Sequence, residues 1–248
     1  MTRTAILTVA LALVAFAICG DAVRAQKQTK PWTEWSKKDA EKILKDSPWS
    51  HMQIDTDTSE MFFQPTADPA TAGNRAPNAA ARTEGGATNQ STNVQYGIRI
   101  FSARPIRQAF VRTIMLQGQL APDVQSRLTQ YAELESTSSI IIAVTVESTD
   151  KKSLGKIMQI VNSANTGALK NMTYLERKDG KRLFLEEYTP PGSDGFGARF
   201  IFPRNVDEKP FLTPDAGEVR FVSEFSSGVK LNMTFKLAEM QYNGAFEY

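Results

Sequence analysis

Nucleophilic catalysis needs a Ser, Cys or Thr beside a base, and this chain is poorly stocked for it. It carries one histidine, His51, and one cysteine, Cys19. A Ser-His-Asp or Cys-His arrangement could draw only on His51. No Gly-x-Ser-x-Gly is present to hold a serine on a sharp strand-to-helix turn. A zinc centre wants three or four His, Cys or carboxylate ligands, so neither a metal site nor a cofactor is expected. Acid–base work by two carboxylates, as in glycoside hydrolysis, would fall to Glu147, Glu186, Glu187, Glu218 or Glu224. Adjacent Glu186 and Glu187 on a strand point to opposite faces, which favours plain surface carboxylates. The run Asp55-Thr56-Asp57-Thr58-Ser59-Glu60 resembles the start of a calcium loop. Its sixth and twelfth places hold Glu60 and Thr66 instead of the required Gly and Glu, which leaves a solvated acidic turn. The Gly-rich stretch 190–197 opens a strand and carries Asp194 where a phosphate cradle would open a helix and carry a Lys, so it is read as a connecting loop.

Aromatic recognition is the better-supported chemistry. All three tryptophans, Trp32, Trp35 and Trp49, fall within eighteen residues, and they are the candidate binding residues. Between them Ser36 and Asp39 form a capping-box pair, Ala40, Ile43 and Leu44 make a narrow apolar stripe, and Pro48 stops the helix. A helix of about three turns is marginal alone and must dock. It packs either on its own domain, with the tryptophans as anchors, or in the groove of an envelope protein partner as a tethered peptide.

The elements that must position these groups follow from periodicity. Residues 64–93 hold no large aliphatic or aromatic side chain and are expected to be a disordered linker, because burial there cannot offset the ordering entropy. Beyond it Val94, Tyr96, Ile98 and Ile100 alternate as a half-buried strand. Helices are expected from Pro105 and Pro122 and from a Ser153 cap to about Ala164, with a central strand over Ser139 to Val146. Strands then follow at 171–177, 181–188, 197–202, 218–226 and 229–238, with a last turn at Asn243-Gly244. The fold class is therefore α+β, a largely antiparallel sheet with about three helices, preceded by a short Trp-containing helix and the linker.

The start of the chain reads as an export signal. Arg3 precedes an apolar run from Ala5 to Ile18, and Val23-x-Ala25 offers a small-residue cut site, so cleavage is placed after Ala25. The run is short for a membrane span, and Cys19 lacks the Leu and the small residue of a lipobox. The division is then 1–25 signal peptide, 26–63 Trp-rich helical segment, 64–93 linker and 94–248 α+β domain. Cleavage takes two arginines and one aspartate with it and leaves a net charge of +1. That charge offers no basic excess for nucleic acid. It also removes the only cysteine, so the mature chain has no thiol chemistry although a periplasmic or extracellular destination would permit a disulfide.

The pattern Trp32-x-x-Trp35-Ser36, Asp39-Ala40, Ile43-Leu44 and Ser47-Pro48-Trp49 resembles the N-terminal motif of a group of uncharacterised exported bacterial proteins. The ending Met240-Gln241-Tyr242-Asn243-Gly244 with Glu247-Tyr248 resembles the same group. The resemblance implies compartment and kinship and carries no activity. The sequence favours a non-enzymatic periplasmic or secreted protein with a binding or structural role. Its alternative is a secreted hydrolase using paired carboxylates.

Overall fold

In the computed structural model, residues 30–57, 92–225 and 228–248 are described. The export signal and the stretch 58–91 lie outside them. Residues 36–248 form one compact unit, and residues up to Trp35 belong to another. In that first unit Trp32–Glu34 make a single 3-10 turn, and the Trp35 indole N–H donates to the Lys30 carbonyl at 3.0 Å.

The larger unit is α+β with antiparallel sheets. It opens with helix α1, Lys37–Lys45. The Ser36 hydroxyl accepts from the Asp39 amide and the Asp39 carboxylate accepts from the Ser36 amide, so the expected capping box closes the first turn. Strand β1, Ser50–Asp57, then pairs along its whole length with β2, Thr92–Ile100. This corrects the reading of residues 55–57 as an acidic turn. Met52, Ile54 and Thr56 alternate with His51, Gln53 and Asp55, which is a strand period. The correction also moves the expected domain boundary, because residues 36–57 share a sheet and a compact unit with the residues from Thr92 onward.

Helices α2, Arg104–Met115, and α3, Pro122–Glu133, both start with Pro in the first turn, where the missing N–H costs nothing. Strand β3, Ser139–Ser148, is the middle of the larger sheet, as its unbroken apolar run predicts. Helix α4, Lys151–Ser163, is capped by Asp150, whose carboxylate accepts from the Lys152 and Ser153 amides, so the cap sits three residues before the expected Ser153. A short helix α5, Thr166–Leu169, follows.

The second half is strand-rich: β4 Thr173–Arg177, β5 Arg182–Phe184, β6 Glu187–Thr189, β7 Ala198–Pro203, β8 Asn205–Val206, β9 Lys209–Pro210, β10 Glu218–Glu224, β11 Lys230–Lys236, β12 Gln241–Tyr242 and β13 Ala245–Phe246. The five-stranded sheet runs β1-β2-β3-β7-β6 and the four-stranded sheet β11-β10-β4-β5. The single strand expected over 181–188 is two. The Leu185 amide donates to Thr173 in the smaller sheet and the next amide, Glu186, donates to Ile201 in the larger one. The chain changes sheets between them. Leu183 and Leu185 are buried in one phase and Tyr188 in the other, so the Glu186-Glu187 pair marks a break in alternation.

The main core lies between the two sheets. Phe200 packs edge-on to Phe221 at 5.1 Å, and Tyr188 lies against Phe200 and Phe225. Val161 of α4 joins it, its carbonyl accepting from the Tyr188 hydroxyl at 2.7 Å. The Gln53 side chain ties the two sheet edges together: its amide nitrogen donates to the Lys230 carbonyl at 2.7 Å and its oxygen accepts from the Asn232 amide at 2.8 Å. That amide group fills the place a neighbouring strand would take on the β11 edge.

Candidate functional site

The structure gives each of the tryptophans a different setting. Trp32 and Trp35 are buried, in the 3-10 turn and just after it. Trp49 precedes β1 and is 6% exposed. Its indole N–H donates to the Glu247 carbonyl at 2.7 Å, and its ring meets Tyr242 edge-on at 6.3 Å. Ser47-Pro48-Trp49 and Tyr242…Glu247-Tyr248 therefore meet in space, although 198 residues separate the bonded pair. The contact gives the two ends of the sequence pattern a shared physical reason. The C-terminal hairpin β12–β13 is held further by Arg104, which pairs with the buried Glu247 carboxylate at 2.9 Å, and by Arg204, which donates to the Tyr248 carbonyl at 2.9 Å and lies over its ring. Ile43 and Leu44 are partly buried against the core of their own unit.

Of the glutamates weighed for acid–base work, Glu186, Glu187 and Glu218 are exposed and Glu224 pairs with Lys230 at 2.9 Å. Of these five, Glu147 lines a cleft of about 420 Å³ on the larger sheet. His51 lies tilted against the Phe235 ring at 5.2 Å, and burial holds its pKa below the usual value of 6.5. Among the described residues no group of three His, Cys, Asp or Glu side chains could hold a metal ion, and no helix is long and apolar enough to cross a membrane.

The residues that sequence reasoning missed are on the outer face of the larger sheet. Strand alternation puts Ile98 and Ile100 in the main core, so Gly97 and Arg99 must face the other way. There they meet Thr145 and Ala143, their partners across to β3. With α2 and the 193–196 loop they frame a cleft of about 420 Å³, the size of a small-molecule site. Its floor is Arg99. The guanidinium Nε donates to the Leu44 carbonyl at 2.5 Å and Nη1 donates to the Thr145 hydroxyl at 3.1 Å. The first bond also places a cation at the C-terminal end of α1, where the helix dipole favours it. A guanidinium has five N–H groups, so these two bonds leave donors over. No carboxylate pairs with Arg99 among the described residues. Burial lowers its pKa, and the charge of Glu147 opposes that shift.

Glycine at 97 makes this placement achievable. A Cβ there would fall 2.9 Å from Arg99 Nη2 and 2.8 Å from Thr145 Oγ1. The cleft wall is aromatic: Phe110 stacks on Phe196 at 4.4 Å, and Phe101 meets Phe196 edge-on at 4.9 Å. Phe196 is fixed by its neighbours. The Asp194 carboxylate accepts from the Phe196 amide at 3.0 Å and pairs with Arg199 at 2.9 Å. Gly197 adopts φ +79°, and a Cβ there would lie 2.2 Å from the Val144 carbonyl oxygen, so the loop returns to the sheet only through glycine.

Compared with protein-family models, curated protein sequences and solved structures, the chain matches none.

Proposed function

We propose that this chain is an exported bacterial protein, periplasmic or secreted, that binds a small molecule in the cleft over Arg99 and does no catalysis. The observation that carries the reading is Arg99 itself. Arg99 is half-buried, and a partly desolvated cation without an ion-pair partner is costly. This one stands on the floor of a preformed, aromatic-walled cleft with donors to spare. A site built this way orients a ligand by one charged group and gains affinity from apolar contact.

Export rests on the n-region, apolar run and cut site of the first 25 residues. A mature protein recovered from the envelope or medium with Gln26 as its first residue is the expected result, and an intact Met1 in the cytosol would contradict it. The other binding reading, a protein partner gripped by Trp32, Trp35 and Trp49, has less support. Trp49 has committed its N–H to Glu247, and deleting residues 26–63 would remove an edge strand along with the tryptophans. The cleft is tested by screening small organic acids, amines and neutral rings against the mature protein by ligand-observed NMR, beside a Thr113→Trp variant that fills the cleft from α2. Hits that vanish in the variant support the reading. Hits that persist in it, or a screen without hits, overturn it.

A further inference from the structure

The chemistry of the cleft also narrows what it takes, on the reading that it is the ligand site. We propose that its ligand is a small organic monocarboxylate carrying a flat, ring-sized apolar body, with the carboxylate on Arg99 and the body against Phe110 and Phe196.

Two features define the charge of the ligand. Arg99 has a planar fork of donors, of which Nε and one Nη1 hydrogen are used by Leu44 and Thr145. The Nη2 group, over Gly97, has no hydrogen-bond partner among the described residues. A carboxylate suits such a fork because its two oxygens match the spacing of neighbouring N–H groups. Glu147 sits on the same cleft as an exposed carboxylate. Its charge leaves room for one negative charge over Arg99 and opposes a second, which disfavours phosphate esters and dicarboxylates. Asp194 does not add to that repulsion in full, since Arg199 pairs with it at 2.9 Å.

The body of the ligand is read from the wall. Phe110 and Phe196, both half-buried, line the cleft and stack on one another at 4.4 Å, with the buried Phe101 edge-on to both and Arg199 over the Phe196 ring. Such a cluster favours a ligand ring, which can stack or meet an edge, over a flexible polar chain. The wall is held in place by the Asp194 bonds and by Gly197, so little ordering entropy is lost on binding.

The probe is 3-phenylpropionate, titrated calorimetrically into the mature protein beside its uncharged amide and phenyl phosphate. The expected dissociation constant is on the order of 10–1,000 µM, ordinary for a ligand of this size. The amide should bind about tenfold more weakly or worse, the loss expected for charge-assisted bonds. Phenyl phosphate should also be weaker than the carboxylate, and Glu147→Gln should narrow that gap. Arg99→Lys, which keeps the charge and loses the fork, should weaken the carboxylate by about tenfold and leave the amide unchanged. If Arg99→Lys does not fold, the three-ligand comparison on the natural protein and Glu147→Gln still decide. Equal affinity for carboxylate and amide overturns the proposal, as does a preference for phenyl phosphate. If both ring compounds bind equally and Thr113→Trp abolishes both, the cleft remains the ligand site and only the carboxylate assignment fails. If Thr113→Trp leaves all binding intact, the cleft reading fails with it.

Discussion

Trp49 and His51 are two residues apart, and each depends on a partner that no local pattern reveals. The Trp49 N–H bonds to Glu247, so Trp49→Phe keeps most of the ring packing and strands a buried carbonyl. The expected loss is about 1–3 kcal/mol in a urea unfolding series. His51 packs on Phe235, and burial, the largest effect, depresses its pKa. Asp46 and Glu239 act against the shift and Lys236 acts with it. A depressed folded-state pKa means that the unfolded chain takes up the proton first. Stability is then full above pH about 6.5 and falls as the pH drops through the folded-state pKa. His51→Phe should flatten that part of a melting-temperature profile, and a profile unchanged by the substitution would show that His51 is not its source. Arg99 was legible in principle. Ile98-Arg99-Ile100 on an alternating strand forces a cation onto the face opposite the core, and Gly97 two residues before it clears space there. What the sequence lacks is the identity of the groups across from it, Leu44 and Thr145, which only the folded topology brings together.

At the scale of elements, periodicity located most of the strands and helices and failed where side chains serve a neighbour. Strand β1 was hidden because His51, Gln53 and Asp55 look solvated, yet Gln53 bonds twice to the β11 backbone. Gln53→Ala should cost about 1–2 kcal/mol and speed hydrogen exchange at the Asn232 amide. Unchanged exchange there would deny the bridge. The 181–188 stretch has no turn residues inside it, so its periodicity predicts one strand. The sheet change is signalled only by the phase slip at Glu186-Glu187. The 190–197 loop is a connection, as its composition predicts, and its role as a cleft wall depends on Gly197 closing against Val144. Gly197→Ala should destabilise the protein by more than about 2 kcal/mol, from the left-handed backbone and the collision together.

For the whole molecule, the α+β class and antiparallel sheets were readable from the order of periodic segments. The arrangement of two sheets around one core was not, because it depends on contacts between segments far apart in sequence. The strand pairing makes residues 36–57 part of the main unit. A protease site placed between residues 64 and 91 and cut in the native state should therefore leave the N-terminal piece bound during size-exclusion chromatography. Its release without denaturant would contradict the β1–β2 pairing. The same architecture sets Arg99 under a fixed aromatic wall and underlies the proposed function. The most direct test follows the Arg99 Nε–H resonance and the backbone amides of Gly97, Thr145 and Phe196 by NMR while 3-phenylpropionate is added. These four signals should shift together and saturate. Saturable shifts elsewhere with these four unmoved would contradict the proposed function.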